Sequence, residues 1–169
     1  MNERPSEVGV TFISNSPEDT VRLAKACGEV LGPGMLISLR GSMGKGKTTF
    51  VSGLARGLGL PDVTHSPTFT IVAEHLEGRL PLYHADLYRL GESAQAEISL
   101  LDEYIFGDGV CVIEWPELVE GLLPKERLDV HFVDTEANED EADRRLIVVA
   151  ADGDREHLAL EKWVEKWQS

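Results

Sequence analysis

The segment Gly41–Thr48 has the residue types and the spacing of a phosphate-binding loop. It reads Gly-Ser-Met-Gly-Lys-Gly-Lys-Thr and satisfies the pattern G-x-x-x-x-G-K-S/T. Glycines let the backbone turn its N–H groups toward a bulky polyphosphate, and a helix after the loop adds further N–H groups and its positive dipole end. The pattern predicts that Lys47 contacts the β- and γ-phosphates and that the Thr48 hydroxyl ligates Mg²⁺.

The local context supports this prediction. The loop follows a short apolar run at 35–39, typical of a buried strand, and precedes a helix predicted over 47–58. The pattern is expected by chance in under about 1% of chains of this length. The predicted nucleotide-binding residues of this segment are Gly41, Ser42, Met43, Gly44, Lys45, Gly46, Lys47, Thr48 and Thr49.

Two acidic residues are candidates to complete such a site. Glu114 ends the apolar run 110–114, where its carboxylate would either hold Mg²⁺ or face solvent. Asp86 shares one face of a predicted strand with apolar residues, and positioning of the attacking water or of Mg²⁺ would explain an acid there. A structural alternative for Asp86 is pairing with nearby Arg89. We predict that Asp86 and Lys47 are the catalytic residues.

Other sequence features refine the expected chemistry. In the segment 65–69, Thr68 would sense the γ-phosphate as switch loops do, or would belong to an ordinary turn. The sequence has no Asn/Thr-Lys-x-Asp element for reading guanine, which favours ATP. Its ten arginines are scattered, which favours hydrolysis over the chemistry of a kinase with an arginine-rich lid. The five histidines lack metal-ligand spacing, so a zinc site is not expected.

The order of predicted elements is that of one α/β domain over residues 1–169. Ser16 is a predicted N-cap with Pro17 at the first helical position, and this helix ends before Gly32-Pro33. Further helices are predicted over 47–58, 92–106 and 155–167. The predicted strands are 8–14, 35–39, 69–75, 80–88, 110–114, 127–134 and 144–150, of which the last two are antiparallel.

Composition excludes several classes of function. The chain has 169 residues and a net charge of −14, which argues against non-specific nucleic-acid binding and against an anionic membrane surface. The first twenty residues lack a basic segment followed by an apolar run, and no stretch approaches 18 apolar residues. A cytoplasmic protein is expected, with Cys27 and Cys111 as two buried free thiols.

Two segments have both a structural and an interaction reading. The segment 134–143 holds six acids and predicts a solvated hairpin loop, with an interaction tail as the alternative. In the last predicted helix, Leu160, Trp163, Val164 and Trp167 recur at helical spacing. This pattern predicts a stripe that faces the core, and a protein-docking surface is the alternative.

Three segments together carry a family resemblance. They are GSMGKGKTTF at 41–50, HSPTFTIVAEHLEGRLPLYHADLYRL at 65–90 and VIEWPELVEGLLP at 112–124. With the helix that opens SPEDT, the chain resembles the TsaE family of small bacterial P-loop ATPases, which are needed to make threonylcarbamoyladenosine in tRNA. The resemblance covers roughly residues 10–135 and implies a three-layer P-loop α/β fold with a mixed, mainly parallel sheet.

The resemblance also implies roles for individual residues. Thr48 and Glu114 would hold Mg²⁺, and Asp86 of the HADLYR segment would be needed for hydrolysis. Thr68 would belong to a switch-like loop. In the same way Trp115 would lie close to the nucleotide, with an ordinary packed tryptophan as the alternative, and Thr20 would lie near the base.

The resemblance further implies partners. TsaE-like proteins act with the TsaD–TsaB pair, in which TsaD transfers the threonylcarbamoyl group and the ATPase resets or regulates the complex. Low activity in isolation is expected, because no obvious arginine finger is present and Arg89 is the nearest candidate. Two alternatives stay open, namely a small-molecule kinase and a nucleotide-gated protein-binding module with negligible turnover.

The P-loop departs from the usual family pattern at two positions. The family usually reads G-D-L-G-A-G-K-T, whereas this chain has Ser42 in place of the Asp and Lys45 in place of the Ala. The exchange adds about two units of positive charge beside the phosphates. It predicts tighter binding of ATP or ADP and slower product release.

Overall fold

The computed structural model describes residues 9–61, 71–136 and 139–169, in which seven strands form one sheet. The strands are β1 (Gly9–Ser14), β2 (Leu36–Arg40), β3 (Val72–His75), β4 (Leu82–Asp86), β5 (Val110–Glu114), β6 (Arg127–Val133) and β7 (Arg145–Asp152). The helices are α1 (Pro17–Val30), α2 (Lys47–Gly57), α3 (Ala94–Glu97), α4 (Asp102–Ile105) and α5 (Asp154–Gln168). Short 3₁₀ segments occupy Leu87–Arg89, Gly91–Ser93, Ile98–Leu101, Pro116–Val119 and Glu139–Glu141.

The sheet is mixed, and its strand order is β1-β7-β6-β2-β5-β4-β3. The four central strands β6, β2, β5 and β4 are parallel, whereas β3 and the β7–β1 pair join antiparallel at the two sides. The predicted mixed sheet and the antiparallel pairing of the late strands β6 and β7 are therefore confirmed. Because β2, β4 and β5 are parallel, the residues that follow them meet at one edge of the sheet.

Helical segments cover both faces of the sheet. Ile37 and Leu39 of β2 belong to a buried cluster with α1, α2 and α5, whereas Cys111 and Ile113 of β5 belong to a second cluster with α3 and α4. Leu36 of β2 belongs to the second cluster as well. Side chains of a strand alternate between its two faces, so one short apolar strand contributes to both clusters. The three-layer arrangement implied by the resemblance is thus confirmed.

Helices α1 and α2 pack close together. A Cβ atom on Gly53 of α2 would lie 2.4 Å from the Val21 carbonyl oxygen and 2.8 Å from the Ala24 Cβ. Only glycine allows this approach. Since α2 begins directly after the last glycine of the phosphate-loop motif, the helix that follows the loop is packed against α1.

The bounds of most predicted elements are confirmed to within two residues. The predicted N-cap of α1 is present, because the Ser16 side chain accepts a hydrogen bond from the Asp19 N–H at 3.1 Å. The strand predicted over 80–88 is shorter. It ends at Asp86, whose carboxylate accepts a hydrogen bond from the Tyr88 N–H at 3.1 Å and starts a 3₁₀ turn. Of the strand predicted over 69–75, the first two positions lie outside the described residues.

The continuous helix predicted over 92–106 is wrong. The chain there forms α3 and α4, separated by the 3₁₀ segment Ile98–Leu101. Neither short helix begins with a side-chain cap, and the tighter turns bring Ala94, Leu101 and Ile105 against one face of the sheet. Such turns change the spacing of apolar residues locally, which a period of 3.6 residues does not reveal.

Predictions about buried groups are confirmed. Cys27 and Cys111 are free and buried, and burial raises the pKa of the Cys111 thiol to about 12. On α5, Trp163 and Leu160 are buried in the core, with two more apolar residues of the stripe packed partly against it. Among the described residues, no helix is long and apolar enough to span a bilayer.

The substitution Gly53→Ala tests the close packing of α1 on α2. Alanine favours a helix by about 1 kcal/mol over glycine, but its Cβ would force the two helices apart, and overpacking of this kind costs about 1–3 kcal/mol. We expect the free energy of unfolding, measured with urea, to fall by up to about 2 kcal/mol, which is the difference between the two effects. The neighbouring Ser52→Ala should change it by less than about 0.5 kcal/mol. A more stable Gly53→Ala variant would contradict the packing.

Candidate functional site

A cavity of about 490 Å³ opens at the sheet edge where β2, β4 and β5 end. Its walls come from the phosphate-loop motif with the first turn of α2, the N-terminus of α1, the ends of β4 and β5, and the start of β7. The lining residues are Pro17, Thr20, Met43, Gly44, Lys45, Gly46, Lys47, Thr48, Thr49, Asp86, Tyr88, Glu114, Trp115, Asp143 and Arg145.

Lys47 is almost fully buried at this edge, with 6% of its surface exposed. Gly46 before it has a φ of 109°, which a residue with a side chain rarely adopts, and this backbone turn starts α2. The Lys47 Nζ donates a hydrogen bond to the Gly41 carbonyl oxygen at 2.7 Å. Burial lowers the pKa of Lys47. The nearby carboxylates of Glu114, Glu117 and Asp86 oppose that shift.

Trp115 covers the Lys47 ammonium. Its φ of 61° lies in the left-handed region, where side chains are uncommon, and turns the chain sharply after β5. The ring centroid stands 3.9 Å from the Lys47 Nζ, which is a cation–π contact. The Tyr88 ring packs on the indole with centroids 5.0 Å apart.

Two carboxylates lie side by side opposite this ammonium. Asp86 and Glu114 are paired in register at the ends of β4 and β5, and Glu114 is also in register with Leu39, just before the phosphate-loop motif. Burial raises the pKa of Asp86, and the neighbouring Glu114 charge raises it further. Acidic and cationic groups from distant parts of the sequence thus share one cavity.

His84 orients Glu114. The His84 Nε2 and the Glu114 Oε2 are 2.6 Å apart, and both side chains are buried. A carboxylate only accepts hydrogen bonds, so Nε2 is the donor. The other ring nitrogen, Nδ1, has no hydrogen-bond partner among the described residues. His84 lies on β4 two residues before Asp86. The same strand therefore supplies one acid of the site, Asp86, and the hydrogen-bond donor to the other acid, Glu114.

The outer side of the phosphate-loop motif is held by the β6–β7 connection. Asp134 accepts a hydrogen bond from the Ser42 hydroxyl at 2.6 Å through Oδ2, and its Oδ1 lies 3.3 Å from the Lys45 Nζ. The Arg145 Nε donates to the Lys45 carbonyl oxygen at 2.9 Å. Ser42 and Lys45, which depart from the usual family pattern, therefore share one acidic partner.

Comparisons with known proteins identify the family of this chain. A family model described as "Threonylcarbamoyl adenosine biosynthesis protein TsaE" matches residues 14–146. The chain is 44% identical over 147 residues to the tRNA threonylcarbamoyladenosine biosynthesis protein TsaE of Bacillus subtilis, covering 87% of this chain and 89% of that protein. The chain belongs to the TsaE family.

Further relatives support this assignment. The TsaE protein of Treponema pallidum is 44% identical over 113 residues, which cover 67% of this chain and 83% of that protein. The crystal structure of YdiB from Bacillus subtilis superposes with a TM-score of 0.79 at 37% identity, over 96% of this chain and 98% of that one. Membership in the TsaE family connects the chain with biosynthesis of threonylcarbamoyladenosine in tRNA.

Most site residues predicted for this TsaE-family chain line the cavity. Gly41 and Ser42 do not line it and instead border a depression on the other side of the loop. Thr20 lines the cavity, with its hydroxyl 2.7 Å from that of Ser14. Arg89 is not among the described residues that line it, and Thr68 lies outside the described residues.

Sequence reasoning missed several residues of the site. His84 has a detectable signal, because it occupies the same strand face as Asp86. Asp134 and Arg145 have none, since they approach the loop from 92 and 100 residues further along the chain. The segment 134–143 was predicted to be a solvated loop, and Asp134 at its start is exposed yet contacts the phosphate-loop motif.

Replacing His84 tests whether it is the partner that the buried Glu114 carboxylate requires. In His84→Ala the carboxylate stays buried without a donor, which costs about 3 kcal/mol of unfolding free energy. The double variant His84→Ala/Glu114→Gln has no orphaned charge and should recover at least about 1 kcal/mol of that loss. Urea unfolding measures both. Equal stability of the single and double variants would contradict the pairing.

Proposed function

We propose that this TsaE-family protein binds ATP in the cavity and hydrolyses it as an accessory subunit acting with TsaD and TsaB. The observation that carries the proposal is the enclosed Lys47 ammonium beside Asp86 and Glu114, at the end of a P-loop. A triphosphate fits such a site because it presents negative charge to the ammonium and to the helix N-terminus.

Phosphate binding follows from the loop and from α2. The N–H groups of the first turn of α2 lack carbonyl partners within that helix, so phosphate oxygens complete them. The Lys47 Nζ, which donates to the Gly41 carbonyl oxygen, adds a charge-assisted contact to the β- and γ-phosphates. When a phosphate oxygen binds this ammonium, it replaces part of the cation–π contact with the Trp115 ring.

The residues present fit a magnesium ion. Thr48, Asp86 and Glu114 present hydroxyl and carboxylate oxygens to the same cavity, and Mg²⁺ prefers such ligands. Among the described residues, no group of three or more His, Cys, Asp or Glu side chains is arranged to hold a metal ion. When bound, Mg²⁺ would supply positive charge that offsets the negative charge of the phosphates.

Asp86 is the residue we assign to hydrolysis. Its carboxylate lines the cavity and already accepts one backbone hydrogen bond, from the Tyr88 N–H, which fixes its orientation. An oriented carboxylate positions the attacking water and accepts its proton as the γ-phosphate separates. We assign Glu114, which is hydrogen-bonded to His84, to the binding of Mg²⁺.

The binding and hydrolysis roles are separable by substitution. Lys47→Ala removes a charge-assisted contact and should weaken ATP binding by up to several kcal/mol. Asp86→Asn keeps the shape of the side chain, so ATP affinity should stay within about threefold while phosphate release falls at least about 100-fold. Calorimetry and a phosphate-release assay measure the two effects. Asp108→Asn, at an exposed acid, is the matched control. Retained ATP affinity in Lys47→Ala would contradict the P-loop assignment.

Phosphate release from ATP, alone and with the TsaD–TsaB pair, tests the accessory role. We expect weak Mg²⁺-dependent release that rises when the pair is added and disappears in Asp86→Asn. ATP binding without release under either condition would contradict the ATPase proposal and favour a nucleotide-gated binding module. Transfer of the phosphate to an acceptor other than water would contradict hydrolysis.

A further inference from the structure

The Lys45 side chain lies at the rim of the cavity and has two possible electrostatic partners. Lys45 lines the cavity, where phosphate binds in the proposed function, and its Nζ lies 3.3 Å from the Asp134 Oδ1. Asp134 is on the outer side of the loop, where it borders a separate depression together with Ser42. The ammonium is therefore drawn away from the cavity by a carboxylate that belongs to another part of the chain.

Asp134 is well placed to hold this ammonium. Its second oxygen, Oδ2, accepts the Ser42 hydroxyl at 2.6 Å, so both carboxylate oxygens are engaged by the same loop. The Ser42 hydroxyl, and after it the Lys45 ammonium, lower the pKa of Asp134 below its ordinary value. An aspartate is ionised at neutral pH even without such a shift, so Asp134 faces Lys45 as a charged carboxylate. Ser42 thus orients the group that pairs with Lys45.

The backbone of Lys45 is held independently of its side chain. The Arg145 Nε donates to the Lys45 carbonyl oxygen at 2.9 Å, and the Arg145 Nη1 donates to the Ala142 carbonyl oxygen at 2.6 Å. Arg145, at one end of the β6–β7 connection, thus holds the Lys45 backbone, and Asp134, at the other end, pairs with the Lys45 side chain. With the backbone fixed, the ammonium can leave Asp134 for the cavity by side-chain rotation alone.

We propose that Asp134 is a positioning residue that weakens nucleotide retention by competing with phosphate for the Lys45 ammonium. This inference rests on the proposed nucleotide binding. The expectation from sequence counted Lys45 as a full added charge beside the phosphates. The pair with Asp134 reduces that contribution, so the nucleotide is held less tightly than the loop sequence alone indicates.

The dissociation rate of a fluorescent ADP analogue, chased with unlabelled ADP at physiological salt, tests the competition. Asp134→Asn keeps the size of the side chain and an oxygen acceptor for Ser42 but removes the charge. Dissociation should slow about two- to fivefold, the range expected for an exposed ion pair. Asp140→Asn removes the same charge from the same acidic segment and should leave the rate within about 1.5-fold, because salt screens distant charges.

The same measurement in the Lys45→Ala background isolates the pair. There Asp134→Asn should change the rate by less than about 1.5-fold, because the ammonium that it would release is absent. An equal slowing in both backgrounds would overturn the proposal and make Asp134 a simple repulsive charge. An unchanged rate for Asp134→Asn in the parent protein would overturn it as well. Failure of the parent protein to bind the analogue at all would instead contradict the proposed function.

Discussion

One buried ammonium group, on Lys47, sets the constraint on which the rest of the site depends. A charge removed from water is costly unless it is paired and hydrogen-bonded. Here the Gly41 carbonyl oxygen, the Trp115 ring and the carboxylates of Glu114 and Asp86 surround it. These groups come from separate segments, and only the parallel pairing of β2, β5 and β4 brings them to the same edge.

The constraint extends outward through packing and hydrogen bonds. The Glu114 carboxylate is itself buried, and His84 on the neighbouring strand satisfies it. α1 approaches α2 closely at Gly53, and Lys47 begins the same helix. The β6–β7 connection holds the other side of the loop through Asp134 and Arg145. The site is thus stabilised from the core on one side and by an exposed connection on the other.

The sequence was informative where chemistry is local. The phosphate-loop motif, the apolar strand before it and the helix after it are contiguous in the sequence. Alternation along a strand predicted that Asp86 shares a face with apolar residues, which marked it as a candidate site residue. Pairing of Asp86 with Glu114 also follows once the two strands are parallel neighbours. The same alternation covers His84, so its role was within reach of the sequence and was overlooked.

Other features depend on tertiary contacts that no local pattern encodes. Asp134 belongs to an acid-rich segment whose composition indicates solvation, yet its position after β6 puts it against Ser42 and Lys45. The left-handed backbone of Trp115 is likewise not indicated by its residue type, which disfavours that conformation. The 3₁₀ segment between α3 and α4 places Leu101 in the same buried cluster as Ala94 and Ile105, a tertiary contact that a helical period does not indicate.

The environment of Trp115 offers the most direct measurement of the central claim, that a nucleotide enters beside the covered Lys47 ammonium. Fluorine NMR of protein labelled with 5-fluorotryptophan gives one signal for each of the three tryptophans, assigned by Trp→Phe variants. Adding ADP with Mg²⁺ should shift the Trp115 signal strongly and leave the signal of Trp163, which is buried in the core, unchanged. An unmoved Trp115 signal at saturating nucleotide would contradict the account.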